Sequence, residues 1–304
     1  MKEKLPNFLV VGATKSGTTS IYNYLQQHEN IFLNPKVKET NFFIEPKSVL
    51  GCGPRFCGKD SYAKNIVDYQ KLFYKVDENC HKSVGEVCTT YLHFSAHAIP
   101  NIKKYLGDPK IIIILRNPVD RAYSYYMHNV RDGDETLSFE GALDCEAERK
   151  KRNLWLSFRL KELGLYSAHV QAYLENFSNV KVVIYEEMRE DIAESVNDMV
   201  SFLGEKRCPV DISQNYNMSG VPKNRILHNL VHGNNLVFKI LLRLVSLFVG
   251  IDRVRRFQNS IDKKNLVKVN MKLDTRKELT KYYQEDIGYL SSLINKDLEK
   301  IWKI

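Results

Sequence analysis

Short runs of consecutive apolar residues alternate along the chain with segments whose apolar residues recur every three or four positions. The runs predict buried strands, and they cover residues 8–11, 83–87, 110–115 and 181–185. The periodic segments predict amphipathic helices, which begin after Gly17, at Pro118, at Ile192 and at Thr275. Because strands alternate with helices, we expect a parallel sheet that is covered by helices on both faces.

This order predicts an α/β protein of the P-loop type, with three layers and a central parallel sheet flanked by helices. The last third adds extra helices. Residues 34–65 are rich in Gly, Pro and charge and predict an irregular excursion, whereas residues 134–177 look mostly helical. We expect a single domain over residues 1–304, in which residues 218–274 form a helical insertion or cap.

Composition narrows the class of protein only slightly. The 304 residues are 43% hydrophobic and 27% charged, which is typical of a soluble globular protein. The net charge of +9 allows a nucleic acid, a membrane surface or an anionic substrate as partner, or only a solvated basic surface. Six cysteines make neither a disulfide scaffold nor a zinc spacing, and they predict reduced thiols and no metal.

Membrane segments are not predicted. The amino-terminal apolar stretch is too short for a signal peptide, and no uncharged apolar run reaches 18 residues. Residues 236–251 are the most apolar, but Lys239 and Arg243 interrupt them. They predict a buried helix, with a membrane-surface helix or a dimer contact as alternatives. These features predict a cytoplasmic protein without stable membrane insertion, for which a homo-oligomer remains possible.

The first candidate site is the stretch "GATKSGTT", which joins the first strand to the first helix. Gly12 and Gly17 have the spacing of a phosphate-binding loop, G-x-x-x-x-G-K-[ST]. Thr18 takes the place of the usual lysine, and Lys15 lies inside the loop. Backbone N–H groups, hydroxyls and the helix dipole favour an anion there. The shifted lysine suits a ligand with one phosphate and a transferable group beside it.

A second candidate site lies at the end of the strand "KIIIIL". Arg116 follows that strand, Asn117 is a candidate N-cap, and Ser124 lies in the next helix. An arginine suits bidentate phosphate binding, although an ion pair with Asp120 is the alternative. Open parallel sheets bind ligands at the carboxyl ends of their strands. Two anion sites on one crevice therefore predict a nucleotide with two separated phosphates.

At this point the sequence resembles the sulfotransferases that use 3′-phosphoadenosine 5′-phosphosulfate, PAPS. "GATKSGTTSIYNYL" resembles their 5′-phosphosulfate loop, and "LRNPVDRAYSYYMH" resembles their 3′-phosphate site. "KETNFF" and "GEVCTTYL" resemble segments of the bacterial and heparan-sulfate branches, while "VVIYEEM" and "LINKDLEKIW" resemble later family motifs. The resemblance covers residues 6–302, and its first two motifs are specific as a pair.

The resemblance implies PAPS as donor and no required metal. Lys15 would contact the bridging oxygen and the sulfonate and stabilise charge on the leaving phosphate. The 3′-phosphate would be bound by Arg116 and Ser124. "NYNMSGVPKNR" resembles a loop that closes over the donor, so Lys223 and Arg225 are further candidates, or else surface charges. The 5′-phosphate would be held by Ser16, Gly17, Thr18 and Thr19.

On the acceptor side, the resemblance implies Glu39 as the general base that takes the acceptor proton. The alternative is a loop charge paired with Lys36 or Lys38. Histidine serves as base in the small-molecule branch, so His93, with His97, is the runner-up. The acceptor would be contacted by Lys38, Phe42, Phe43 and Glu86. This chain has Val87 and Cys88 where the heparan branch has "KT", so one cation of that branch is missing here.

The resemblance implies a sulfotransferase that moves a sulfonate from PAPS to a hydroxyl or amine of a carbohydrate, lipid-linked or small natural-product acceptor. Catalysis would depend on positioning and charge stabilisation. A P-loop kinase is one alternative, but it requires a lysine after Gly17, where Thr18 stands. A non-catalytic polyanion binder is another, but it predicts a basic stripe with interleaved aromatics, and the basic residues here are dispersed. No nucleic-acid partner is predicted.

Overall fold

The computed structural model describes residues 5–53, 63–213, 221–222, 266–267 and 270–304. The strands are β1 Phe8–Gly12, β2 Ile31–Leu33, β3 Ser83–Val87, β4 Lys110–Leu115, β5 Val180–Ile184, β6 Val221–Pro222 and β7 Leu266–Val267. The first helices are α1 Thr18–Leu25, α2 Ile66–Gln70, α3 Thr90–His93, α4 Ser95–Leu106, α5 Pro118–Asp132 and α6 Phe139–Asp144. The later helices are α7 Glu146–Lys151, α8 Ser167–Asn176, α9 Tyr185–Glu190, α10 Ile192–Leu203, α11 Leu273–Ile294 and α12 Leu298–Trp302. Short 3₁₀ turns occur at Lys47–Leu50, Lys71–Phe73, Leu156–Phe158 and Glu162–Gly164.

Five strands form one parallel sheet in the order β2-β3-β1-β4-β5. The α/β class and the parallel sheet predicted from the sequence are confirmed. β1 lies at the centre, so the segments that follow β1, β3 and β4 meet at one edge of the sheet. The sequence missed β2, whose three residues are too few to show a pattern. Outside this sheet, β6 and β7 pair antiparallel.

Alternate residues of the central strands face two separate hydrophobic clusters. Leu9 and Val11 of β1 pack in the cluster covered by α4, α5, α8 and α11. Phe8 and Val10 face the other cluster, which is covered by α1 and α10. β4 alternates in the same way, because Ile113 joins the first cluster and Ile112 the second. The sheet is therefore buried on both faces, which explains its continuous apolar runs.

Close packing between β3 and β1 requires a glycine. Gly85 lies opposite Phe8 in the parallel register. A Cβ atom on Gly85 would lie 2.1 Å from Cζ of the Phe8 ring, well inside van der Waals contact. The missing side chain allows the large ring to lie across the sheet at this point.

Several local predictions are refined by the structure. Asn117 caps α5 as expected, because its side chain accepts hydrogen bonds from the N–H groups of Val119 and Asp120. The predicted carboxyl-terminal helix is broken at Asn295, which has a φ of 52° and separates α11 from α12. Residues 134–177 form short helices and turns rather than long helices.

Other predictions fall outside the described residues or need correction. Apart from β6, β7 and residues 270–274, the proposed cap at 218–274 lies outside them, and so does segment 236–251. Among the helices that the structure describes, none has the length and apolarity to cross a membrane. Cys52 is disulfide-bonded, so the prediction that all six thiols are reduced is wrong for this residue. The free thiols in the described part of the chain are Cys80, Cys88, Cys145 and Cys208.

Candidate active site

The glycine-rich loop at residues 13–17 connects β1 to α1 in a conformation that needs its last glycine. Gly17 has a φ of +80°, and a Cβ atom there would lie 2.9 Å from the Tyr185 ring. Lys15 also adopts a left-handed φ, of 65°. Ser16 is fully buried, and its hydroxyl has no hydrogen-bond partner among the described residues. A buried hydroxyl without a partner is unfavourable unless a ligand supplies one.

Arg116 extends from the end of β4 to this loop. Its Nη1 donates a hydrogen bond of 3.0 Å to the carbonyl oxygen of Lys15. The guanidinium carbon lies 4.9 Å from the centre of the Tyr185 ring, which fixes its plane. Asp120 pairs instead with Arg276, so the alternative ion pair between Arg116 and Asp120 is not formed. The buried Arg116 Nε has no partner among the described residues and remains available to an anion.

Lys15 lies in a strongly positive environment. Burial, followed by the nearby Arg131 and Arg116 guanidinium groups, lowers its pKa to about 8. Arg131 belongs to the last turn of α5, and the sequence analysis did not identify it. Asp132 beside it partly offsets this repulsion. Convergence of three cations on one loop, with few anions to balance them, favours an anionic ligand.

The other residues predicted to bind the donor belong to α1, to α5 and to a segment outside the described residues. Thr18 and Thr19 begin α1, and the Thr18 hydroxyl accepts a hydrogen bond of 3.4 Å from Lys38 Nζ. Ser124 lies on α5 and is buried. Lys223 and Arg225 lie outside the described residues.

Glu39 is held between two neighbours at the edge of this site. Lys38 Nζ donates to its Oε1 at 2.7 Å, and the Thr89 hydroxyl donates to its Oε2 at 3.2 Å. The Glu39 side chain remains 35% exposed. The ion pair with Lys38 that the sequence offered as an alternative is therefore present. Because Lys38 also reaches Thr18, this pair connects Glu39 to the phosphate-type loop.

Three predicted acceptor contacts lie in the protein interior instead. Phe42 and Phe43 are 8% and 0% exposed and pack around Tyr69, with Phe42 stacked on that ring at 4.3 Å. Glu86 is 4% exposed and is surrounded by hydroxyl donors. This placement does not support a direct contact of these three side chains with an acceptor, and that contact stays a prediction. Their apolar or hydrogen-bonded surroundings make them parts of the core beneath Glu39.

The two runner-up histidines differ in position. His93 lines a cavity together with Thr14, Thr89 and His169, so it lies close to the loop. Burial lowers the pKa of His93, and its Nε2 lies 3.4 Å from a Glu162 carboxylate oxygen. His97 is placed elsewhere, with its Nδ1 3.0 Å from the carbonyl oxygen of Glu45. Only His93 therefore remains near the candidate site.

The donor set fits a phosphorylated nucleotide better than a metal. Ser16 and Arg116 offer buried donors without partners, and Lys15 adds a charge. Among the described residues, no group of three or more His, Cys, Asp or Glu side chains has the arrangement of a metal site. The loop and Arg116 therefore offer donors that are suited to an anionic ligand.

The chain is similar in sequence or in structure to several known proteins. Residues 5–230 match the family model of the sulfotransferase domain. A crystal structure of a sulfotransferase from Alicyclobacillus acidocaldarius has a TM-score of 0.73 and 31% identity, covering 99% of this chain and 100% of that one. The human bifunctional heparan sulfate N-deacetylase/N-sulfotransferase 2 is 30% identical over 213 residues, which are 66% of this chain. The match covers 22% of that relative's length. Mouse sulfotransferase SULT7A1 complexed with PAP is more distant, with a TM-score of 0.43, 20% identity and coverage of 69% and 61%.

The fold and the loop define an α/β protein with a glycine-rich loop of the phosphate-binding type. The chain belongs to the sulfotransferase family. It is accordingly an enzyme of the class that transfers sulfonate groups. This family membership favours sulfonate transfer over the P-loop kinase and the non-catalytic polyanion binder.

Proposed function

We propose that the protein binds PAPS and transfers its sulfonate to a hydroxyl or amine of a carbohydrate or small-molecule acceptor, without a metal. The observation that carries this proposal is the junction of Arg116 with the Lys15 carbonyl. It brings the two predicted anion-binding segments into one site. The unpartnered donors of Ser16 and Arg116 support the same ligand.

The loop would bind the 5′ end of the donor. In this proposal, the hydroxyls of Ser16, Thr18 and Thr19 and the N–H groups at the start of α1 hold the 5′-phosphate. Arg116 and Ser124 hold the 3′-phosphate, and Lys223 and Arg225 stay as candidates for it. Lys15 neutralises charge that develops on the phosphate as its bond to sulfur breaks. When bound, the donor supplies the activated sulfonate.

Glu39 would act on the acceptor. Its exposed carboxylate lies beside Lys38 and Thr89, which fix both of its oxygens. In the proposed step, Glu39 takes the proton of the attacking hydroxyl or amine while the acceptor atom bonds to sulfur. Glu39 is a better candidate than His93, because burial lowers the pKa of His93 and its Nε2 is directed toward Glu162. Lys38 forms an ion pair with Glu39 and supplies a cation beside the proposed base, which Val87 cannot do.

The relatives and the placement of Phe42 and Phe43 support a choice among acceptor classes. The name of the human relative includes an N-sulfotransferase that acts on heparan sulfate, which supports an amino sugar as the first candidate. Phe42 and Phe43 are withdrawn into the core, so they do not form an apolar acceptor wall. We therefore place a carbohydrate before a flat aromatic acceptor, with a lipid-linked sugar as a related possibility.

The proposal is tested by incubating the protein with ³⁵S-labelled PAPS and three acceptor sets. These are glucosamine oligosaccharides with free amines, neutral oligosaccharides, and simple phenols. We expect label on an oligosaccharide. The Glu39→Gln variant should lose about 10²–10⁴-fold of the transfer rate and retain donor binding. Label on phenols alone would reject the carbohydrate acceptor. Full activity of Glu39→Gln would reject Glu39 as the base and favour His93.

A further inference from the structure

Glu86 is a buried carboxylate whose hydrogen-bond donors come from three separate segments. Its Oε1 accepts from the Thr40 hydroxyl at 2.5 Å, the Thr40 N–H at 3.3 Å and the Tyr91 hydroxyl at 3.0 Å. Its Oε2 accepts from the Tyr69 hydroxyl at 2.6 Å. No lysine or arginine in the described ranges forms an ion pair with it. Burial raises the pKa of Glu86, although these four hydrogen bonds oppose that change.

A carboxyl group at this position is unfavourable for stability alone. Taking a carboxylate out of water without a cation is costly, and an apolar group of similar size is often as stable or more so. Val84 of β3 and Cys88, which directly follows β3, both belong to the hydrophobic core. A carboxyl group buried at this position therefore indicates a function other than core packing.

That role is suggested by the residue that Glu86 binds. Thr40 directly follows Glu39, and its hydroxyl also accepts the N–H of Phe42 at 3.0 Å. The residues on either side are tied to the start of α3, because Thr89 donates to Glu39 and the Thr90 hydroxyl donates to Asn41 Oδ1 at 2.5 Å. Asn41 has a left-handed φ of 53°, which is uncommon for a residue with a side chain.

We propose that Glu86 is a positioning residue that holds Glu39 in place through Thr40. This inference rests on the proposed function, in which Glu39 is the base. Three consecutive residues, 39–41, are each fixed to the segment formed by β3 and α3. Glu86 provides the central attachment. In this proposal it acts through Thr40 and not by direct contact with donor or acceptor, since its side chain is buried.

The physical effect is the placement of the Glu39 carboxylate. Residues 34–45 contain no helix or strand, so the backbone hydrogen bonds of regular structure do not fix the segment. A base that moves by about 1 Å can lose about 10²-fold in rate, because the reacting atoms are no longer aligned. The hydrogen bond between the Thr40 hydroxyl and the Glu86 carboxylate fixes the segment here, in place of the hydrogen bonds of a helix or strand.

Three variants separate positioning from stability. Thr40→Val keeps the shape of the side chain and removes the hydroxyl that binds Glu86. Thr40→Ser keeps that hydroxyl. Tyr69→Phe is the matched control, since it removes a hydrogen bond to the other oxygen of Glu86 without touching residues 39–41. For each variant we would determine the crystal structure, the affinity for 3′-phosphoadenosine 5′-phosphate and the melting temperature. We would also measure sulfate release from PAPS, with water as acceptor.

We expect Thr40→Val to displace the Glu39 carboxylate from Thr89. It should lower sulfate release by about tenfold or more, while affinity for the nucleotide stays within about twofold. Thr40→Ser and Tyr69→Phe should retain both the position of the Glu39 carboxylate and the rate of sulfate release, even though Tyr69→Phe lowers the melting temperature.

Two results would overturn the inference: an unmoved Glu39 in Thr40→Val, or a Tyr69→Phe variant that loses as much activity as Thr40→Val. Failure of the unaltered protein to bind the nucleotide would reject the proposed function itself, and this inference with it. If the nucleotide binds but no sulfate release is detectable, the position of Glu39 in the crystal structure of Thr40→Val alone tests the inference: a displaced carboxylate supports it and an unmoved one overturns it.

Discussion

The Nη1 atom of Arg116 donates a hydrogen bond of 3.0 Å to the carbonyl oxygen of Lys15. This bond joins the end of β4 to the loop that follows β1, its neighbour in the sheet. The two sequence motifs that predict separate phosphate sites therefore form one physical assembly. Any change at Arg116 should affect the loop as well as the ligand.

The lowered pKa of Lys15 predicts a pH dependence of nucleotide binding. In the free protein this pKa is about 8, below the usual value near 10.4. An anion favours the protonated amine, so affinity for 3′-phosphoadenosine 5′-phosphate should be maximal below pH 8. It should then fall by up to about tenfold per pH unit above that value.

Calorimetry at constant ionic strength between pH 7 and 9.5 checks this, and buffers of different ionisation enthalpy should reveal proton uptake. Lys15→Arg is the control, because its guanidinium stays charged and the curve should become flat. An unaltered protein with constant affinity over this range would show that Lys15 does not face the ligand.

The unpartnered hydroxyl of Ser16 predicts opposite effects on stability and on binding. Ser16→Ala removes a buried polar atom that has no partner, so the melting temperature should stay equal or rise. Nucleotide affinity should weaken by about 0.5–1.5 kcal/mol, which is the net value of one hydrogen bond.

Ser95→Ala is a suitable contrast for this experiment. The buried Ser95 hydroxyl lies 2.8 Å from Nδ1 of His169, so its loss should lower the melting temperature and leave nucleotide affinity unchanged. If Ser16→Ala destabilised the free protein and bound the nucleotide normally, the hydroxyl would have a structural partner and no role in the site.

The contact between Gly85 and Phe8 predicts a large effect on stability. Gly85→Ala places a methyl group 2.1 Å from the Phe8 ring, and overpacking of this kind typically costs about 1–3 kcal/mol or more of the free energy of unfolding. Gly288→Ala in α11 should instead stabilise by about 0.5–1 kcal/mol, since no atom lies within 4 Å of its added Cβ.

Chemical denaturation of both variants measures this difference. Phe8→Leu should recover part of the loss when it is combined with Gly85→Ala, because the smaller side chain leaves room for the methyl group. Equal stability of the two alanine variants would contradict the packing described between β1 and β3.

The strands of the sheet could be predicted from sequence because burial on both faces leaves an unambiguous apolar run. β4 agrees with its predicted bounds, whereas β5 begins one residue earlier, at Val180, and ends at Ile184, because Tyr185 already begins α9. Ile192–Leu203 forms the expected helix, because its apolar positions repeat regularly. β2 was missed, since three residues carry no periodicity.

Site residues could be predicted from the sequence where they belong to a motif, and not where their role depends on contacts between distant segments. The loop around Lys15 and the arginine after β4 are visible in the sequence. The inward placement of Phe42, Phe43 and Glu86 is not, because it depends on Tyr69 and Tyr91, which come from distant segments. Arg131 was missed for the same reason, since only the folded chain brings the last turn of α5 near Lys15.

The most direct test of the account is calorimetric titration with 3′-phosphoadenosine 5′-phosphate in the absence of magnesium. Adenosine 5′-phosphate is the comparator. Two charge-assisted hydrogen bonds from Arg116 should favour the 3′-phosphorylated ligand by about 100-fold or more. Arg116→Ala should abolish that preference and Arg116→Lys should retain part of it. Arg276→Ala, which removes the partner of Asp120, should leave it intact.

Preference for the 3′-phosphorylated nucleotide that disappears with Arg116 would establish the donor site formed by the loop and β4. No binding, or a preference for ATP with magnesium, would contradict the account.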